Sequence, residues 1–423
     1  MMNSYLKIGG MFLFLATTAL PSVAQTEKIG ALRAAAGSVD ITPARTAYMA
    51  GYGSNRKSLD AHDRLMAKCL VLESGEVRVA IVSADLIGIP RYQSEKIRSL
   101  VKSIKPENLY LAATHTHSGP DTVGQWGPAV NISGVDQEWM TGLRQKIATL
   151  VDQTSAVLKP AAIRFAETDE IPKISKNIRI HRFLDTTLSV MQLISKSDGK
   201  PISTLVNFAC HPEILNNRHM TADFPHWLYE TVEGEKGIKG GVCLYLNGAQ
   251  GGMITADYDE LTSPKGENWA AAESIGKALG FRALEILKDS ERIQSVSISA
   301  DRRVYRVPLE NSNFKALIKL KVFPQDVVKN GMIETEVNRI QIGTAEILTF
   351  PGEVLPNIGL YLRNKMSGKP KFQFGLTGDF LGYILTPEDF GLKLYEYESS
   401  VSVGSEMEPL MAENLLSLMK KKR

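Results

Sequence analysis

The chain has 423 residues, with 49 Lys and Arg against 46 Asp and Glu and a formal net charge of +3. That near balance leaves no electrostatic footprint for nucleic acid, so no nucleic-acid partner is expected. With 43% hydrophobic residues the chain can bury a large core, and its length excludes a small domain held together by disulfides.

The opening stretch, MMNSYLKIGGMFLFLATTALPSVAQ, carries one lysine, an apolar run from Ile8 to Leu20 and the small-residue pattern Ser22-Val23-Ala24. It reads as a signal peptide over 1–24, since the apolar run is shorter than the ~20 residues a spanning helix needs. A membrane anchor is the competing reading. Residues 25–423 are then expected to be secreted or periplasmic, without lipid anchoring.

Beyond this point apolar runs alternate with amphipathic stretches, which predicts an α/β (mixed α+β) fold built as one large mixed-sheet domain. Strands are expected at RVAIVSADLIGI, NLYLAATHTH, ISTLVNFACHP, GVCLYLNGAQ and AEILTFPGE, and helices at 91–104, 136–158 and 268–288. In the second helix Trp139, Leu143, Ile147, Leu150 and Val151 fall on one stripe, the core face. After residue 295 the pattern turns strand-rich, so a subdomain boundary is expected near 295. Cys69, Cys210 and Cys243 each lie in an apolar run and read as buried thiols. The terminal Lys420 to Arg423 follows a helical pattern and suits a helix C-terminus.

The strand ends carry the chemistry. Runs end in His115, in His211, in a glycine-rich turn and in Glu353, and the carboxyl edge of an α/β sheet is where loops aim side chains at a ligand. If AATHTHS continues a strand, His115 and His117 point to one face by the two-residue period. Two imidazoles so placed are either metal ligands or ordinary hydrogen-bonded histidines. His211, fixed by Pro212 at a strand exit, is the best third candidate. Glu353 either adds an oxygen ligand or caps the helix that follows. Together these residues point to a zinc hydrolase.

The motifs AAAGSVDITP, MAGYG, HDRLMAKCLVL, ATHTHSGP, NIRIHR, NFACHPEIL, TADFP, LNGAQGG, TFPGE and GYILTPEDFGLKLYE, in that order, resemble the catalytic domain of the neutral/alkaline non-lysosomal ceramidases. The resemblance implies zinc held by His115, His211, Glu353 and Tyr383, with His117 beside the zinc-activated water. It also implies that Arg179 and Tyr395 orient substrate or stabilise an oxyanion, with Arg182 competing for the first role. Asp223 in TADFP either orients a ligand histidine from behind or caps a helix. The implied activity is hydrolysis of an N-acyl amide, ceramide to sphingoid base and fatty acid; such a lipid substrate brings transient membrane-surface contact.

Two departures bear on the substrate. The family's Gly-Asp-x-Ser-Pro segment is here Gly251-Gly252-Met253-Ile254-Thr255, without its aspartate or serine, with Gln250 as a substitute donor or a plain turn residue. The sequence also ends soon after the tyrosine block, so a short form without the family's C-terminal domain is expected. The alternatives are a zinc hydrolase of the same fold acting on another amide, ester or carbohydrate-derived substrate, and a catalytically silent binding protein.

Overall fold

The computed structural model describes residues 30–234, 240–258 and 268–420. Residues 1–24, which read as a signal peptide, and the basic residues 421–423 lie outside the described residues.

Eight strands form the main sheet, in the order Val242–Asn247, Pro201–Phe208, Leu188–Ser195, Lys159–Thr168, Arg33–Asp40, Met66–Ser74, Val77–Ala84 and Leu109–Ala113. The outermost pair at each edge is parallel and the interior pairings are antiparallel. The sheet is therefore mixed, as the alternation of runs predicts. A second sheet runs Ile298–Pro308, Met332–Ile342, Ala345–Thr349 and Lys371–Phe374, with Val328–Lys329 paired to Met332–Ile342. It is the strand-rich stretch that begins after residue 295.

The two sheets pack face to face. Along Met66–Ser74 the period-two rule sorts side chains: Leu70 and Leu72 enter the layer between the sheets, with Ile81, Leu193, Ile340, Ile347 and Phe374. Cys69 and Val71 point the other way, against Ile97 and against Leu143, Ile147 and Val151 of the helices Arg91–Leu100 and Gln137–Ala156. The rest of that outer face is covered by Phe224–Glu233 and Trp269–Ile286. Pro356–Lys365 and Met407–Lys420 cover the second sheet. Helices thus cover the outer faces, and the eight-stranded order bends so that Val242–Asn247 at one end contacts Met66–Ser74 and Val77–Ala84 near the other.

The predicted helices form as Arg91–Leu100, Gln137–Ala156 and Trp269–Ile286; the last two start at side-chain caps, Asp136 accepting from the amides of Glu138 and Trp139 and Asn268 from that of Ala271. All three cysteines are buried and unpaired. Among the described residues no helix is long and apolar enough to cross a membrane.

Candidate metal centre

Four chain segments bring the site together. Leu109–Ala113 leads to His115, Pro201–Phe208 to His211, Ala345–Thr349 to Glu353, and Tyr383 lies in the short strand Tyr383–Ile384. Glu353–Val354 and Tyr383–Ile384 pair in parallel, with Glu353 opposite Tyr383.

The histidine pair meets for a different reason from the one its spacing predicts. The strand stops at Ala113, and His115 takes a left-handed backbone with φ 74°. Period-two alternation does not reach the pair. Instead the amide of His115 donates to Leu86 (2.9 Å) and that of His117 to Pro212 (3.0 Å), folding the segment over the sheet edge. The two rings meet at 4.9 Å, nearly perpendicular.

The ring nitrogens of His115 and His211 have assigned partners. Nδ1 of His115 lies 2.6 Å from the carbonyl of Ile87, and Nδ1 of His211 lies 2.8 Å from that of Ile254. A carbonyl only accepts, so each Nδ1 carries a proton, and each Nε2 is turned to the site, where it holds a proton toward Glu353 or offers its lone pair to a bound metal. Both Nε2 atoms face one oxygen, Oε2 of Glu353, at 3.3 Å from His115 and 3.0 Å from His211.

Burial pushes the Glu353 carboxyl up, but the two imidazoles outweigh it and hold the group well below the usual carboxylate range. For His211, burial favours the neutral ring, yet the bond to Glu353 and the charges of Glu213 and Glu353 raise it to about 9. Two ring nitrogens and a carboxylate this close must share a cation, either a proton or a metal. Donors on a tetrahedral zinc at ~2.1 Å stand about 3.4 Å apart, so the 3.3 Å separation suits a metal while the 3.0 Å one equals a hydrogen bond. Ligand atoms of His115, His117 and His211 lie within 4.8 Å of one another, and these three buried residues form a group able to hold a metal ion.

His117 differs from its neighbours. It is buried, and neither ring nitrogen has a hydrogen-bond partner. Burial first, and then the nearby His115 and His211, push it well below its ordinary pKa, so it stays neutral. Tyr383 is also buried, its phenol raised well above 10 by burial and by Glu353, and its hydroxyl lies 3.6 Å from the thioether of Met253. Gln250 is fully buried with neither amide atom bonded.

His115, His117, Glu353 and Tyr383 lie along a cavity of about 370 Å³. Away from them its wall is largely apolar, with Phe314, Ile318, Phe323, Met332 and Ile333. The tyrosine of the last block that lines it is Tyr397, whose ring is 5.8 Å from that of Tyr383. Tyr395 is buried with its ring edge toward Gly252. Nor does Arg179 line the cavity: it grips the buried Glu398 carboxylate with two bonds, 2.8 and 3.2 Å. That grip anchors the Glu396–Ser400 helix, which carries Tyr397. Arg182 is exposed and stacks over Phe183.

Asp223 resolves to the cap. Its carboxylate accepts from the amides of Phe224 and Leu215, closing the loop after His211 onto the start of a helix. It touches neither ligand histidine, because backbone carbonyls already occupy their Nδ1 positions. The carbonyls of Ile87 and Ile254 take the orienting role that was one of the two open for Asp223. Sequence reasoning missed Glu213, Tyr52 and Tyr397. None of the three carried a sequence signal for its place beside His117 or the cavity.

The fold is similar to that of the neutral ceramidases, and histidines and a carboxylate converge within it. Residues 33–225 match the model of the neutral/alkaline non-lysosomal ceramidase family, N-terminal part. The neutral ceramidase of Pseudomonas aeruginosa is 28% identical over 174 residues, 38% of this chain and 25% of that protein. The aligned stretch thus spans about a quarter of the relative's length. The crystal structure of a neutral ceramidase from Pseudomonas aeruginosa superposes with a TM-score of 0.77 at 19% identity, over 92% of this chain and 74% of that one. A ceramidase structure described as complexed with C2 gives 0.75 at 18% identity, over 93% and 75%. The resemblance legible in the sequence therefore extends to the fold.

Proposed function

We propose that the chain is a secreted zinc-dependent amidohydrolase that cleaves an N-acyl amide of the ceramide type. The observation that carries this reading is the approach of His115 Nε2 and His211 Nε2 to one carboxylate oxygen of Glu353 beside an apolar cavity. Zinc would be held by His115, His211, Glu353 and Tyr383, and when bound it acidifies water and polarises a carbonyl.

The remaining work falls to the chain's own groups. The apolar wall around Phe314 and Ile318 takes up an acyl chain and excludes water. His117, neutral and in the cavity wall, accepts a proton from the attacking water and passes it to the leaving nitrogen. Tyr397 supplies a phenolic donor to the developing oxyanion, and Arg179 holds Tyr397's helix in place through Glu398.

A second reading keeps the metal and changes the substrate. It is favoured by the turn Gly251 to Thr255, where neither the aspartate nor the serine of the family pattern stands. The test is zinc analysis of the purified chain and of His115→Ala, with release of fatty acid from N-acylsphingosine measured beside N-acyl amino acids and acyl sugars. Stoichiometric zinc with ceramide turnover is expected. Zinc without ceramide turnover moves the assignment to the second reading, and absence of stoichiometric zinc sinks both.

A further inference from the structure

We propose that Glu213 is a positioning residue for His117, fixing which ring nitrogen carries the proton; the catalytic consequence rests on the amidohydrolase reading above. Glu213 Oε2 lies 3.7 Å from His117 Nδ1, and the Glu213 side chain is only 15% exposed. That distance is longer than a hydrogen bond, and with His117 neutral it is a carboxylate facing an uncharged ring. The Glu213 carboxylate makes no hydrogen bond among the described residues, and the ring it faces has no partner at either nitrogen. A buried ring with both nitrogens unpartnered is costly, and the partly buried Glu213 carboxylate is the acceptor that stands beside its Nδ1.

The backbones beneath are already clamped in register. The amide of His117 donates to Pro212, the residue before Glu213. The Tyr52 hydroxyl donates to the carbonyl of Glu213 (2.7 Å), and the Arg56 guanidinium donates to that of His117. Arg56 also lies over the Tyr52 ring, whose edge meets the His117 ring at 5.2 Å. On another side Gly51 sits so close that an added Cβ would be 2.5 Å from His117 Cβ. The imidazole is confined, so the carboxylate at Nδ1 decides its tautomer.

A carboxylate only accepts, and the nitrogen it faces must therefore carry the proton. Nε2 is then left with its lone pair for the cavity that His117 lines. For His115 and His211 a backbone carbonyl makes the same choice. His117 has no such carbonyl, and Glu213 takes its place.

The test uses the full chain with ¹⁵N-labelled histidine, comparing wild type, Glu213→Ala and Glu213→Gln. Long-range ¹H–¹⁵N spectra should show His117 as the Nδ1–H tautomer in wild type and lose it in Glu213→Ala. Glu213→Gln should retain it, since the amide oxygen still accepts. Glu213→Ala should lower kcat on the order of 10–100-fold at unchanged KM and metal content, and add no further loss in a His117→Ala background.

An Nε2–H tautomer in wild type overturns the proposal. So does metal loss in Glu213→Ala, which would make His117 a ligand. A chain that turns over no amide but shows the expected tautomer change sinks the proposed activity and leaves the positioning role standing.

Discussion

Glu353 and Tyr383, thirty residues apart in sequence, stand directly opposite each other in a parallel two-strand pairing, and both line the cavity that His115 enters. The pairing fixes the two backbones against each other, so a carboxylate and a phenol are offered to one place by hydrogen bonds rather than by long flexible loops. Preorganised donors of this kind hold a metal without a cost in loop ordering.

On the proposed zinc site this predicts a graded loss of metal. Glu353→Gln removes the charge shared by His115 and His211 and should weaken zinc retention by more than about 100-fold, beyond the 10–100-fold typical of outer partners. Tyr383→Phe keeps the ring and its packing and should cost about 10-fold. Competition against a chelator of known affinity measures both. Wild-type retention in Tyr383→Phe removes the phenol from the ligand set, whereas unchanged retention in Glu353→Gln removes the centre altogether.

The two tyrosines of the last block separate in the same way. Tyr397 lines the cavity, while Tyr395 is turned toward Gly252. Tyr397→Phe should lower kcat by about 100-fold, the scale of losing one oxyanion donor, with thermal stability unchanged. Tyr395→Phe should stay within about threefold of wild type. The reverse ranking in steady-state kinetics returns the role to Tyr395.

Much of the layered fold was legible because its strands are long enough for the two-residue period to show. Leu109–Ala113 and Pro201–Phe208 run in opposite directions in the eight-stranded order, so no single carboxyl edge brings His115 and His211 together; the segments after the strands do, with ring centroids 5.0 Å apart. What the sequence could not show is how the site is closed. The left-handed turn at His115 falls on an ordinary L-residue with no glycine to mark it, so alternation was credited with a convergence that the turn produces. Tyr395 and Tyr397 are two residues apart in a short helical segment, where one-residue differences in phase decide which ring faces the cavity. Glu213 was invisible as a partner because its distance to His117 is set by the folding of two separate loops.

A last expectation concerns acid. Glu336 in Met332–Ile342 is fully buried, and burial alone pushes its carboxyl up. The guanidiniums of Arg98, Arg302 and Arg91 outweigh burial and bring it down to about 2 from 4.5. Arg98 donates twice, at 2.8 and 2.6 Å, tying the helix Arg91–Leu100 to the second sheet. The Arg91 amide also bonds Asp379, which caps the turn into Phe380, a ring 5.9 Å from His115. Because the folded pKa lies below the unfolded one, the stabilisation is fully present above about pH 4.5 and is lost as the pH falls toward 2. Its size is about 3 kcal/mol from the shift. Glu336→Gln leaves three arginines facing a neutral amide and should cost about 3–5 kcal/mol at pH 7. It should also flatten the fall in Tm between pH 5 and 3, since this carboxylate no longer titrates there. Calorimetric Tm values at pH 7, 5 and 3 for both chains decide the point: parallel curves would mean that the acid sensitivity lies in another group, with the depressed Glu353 carboxylate next in line.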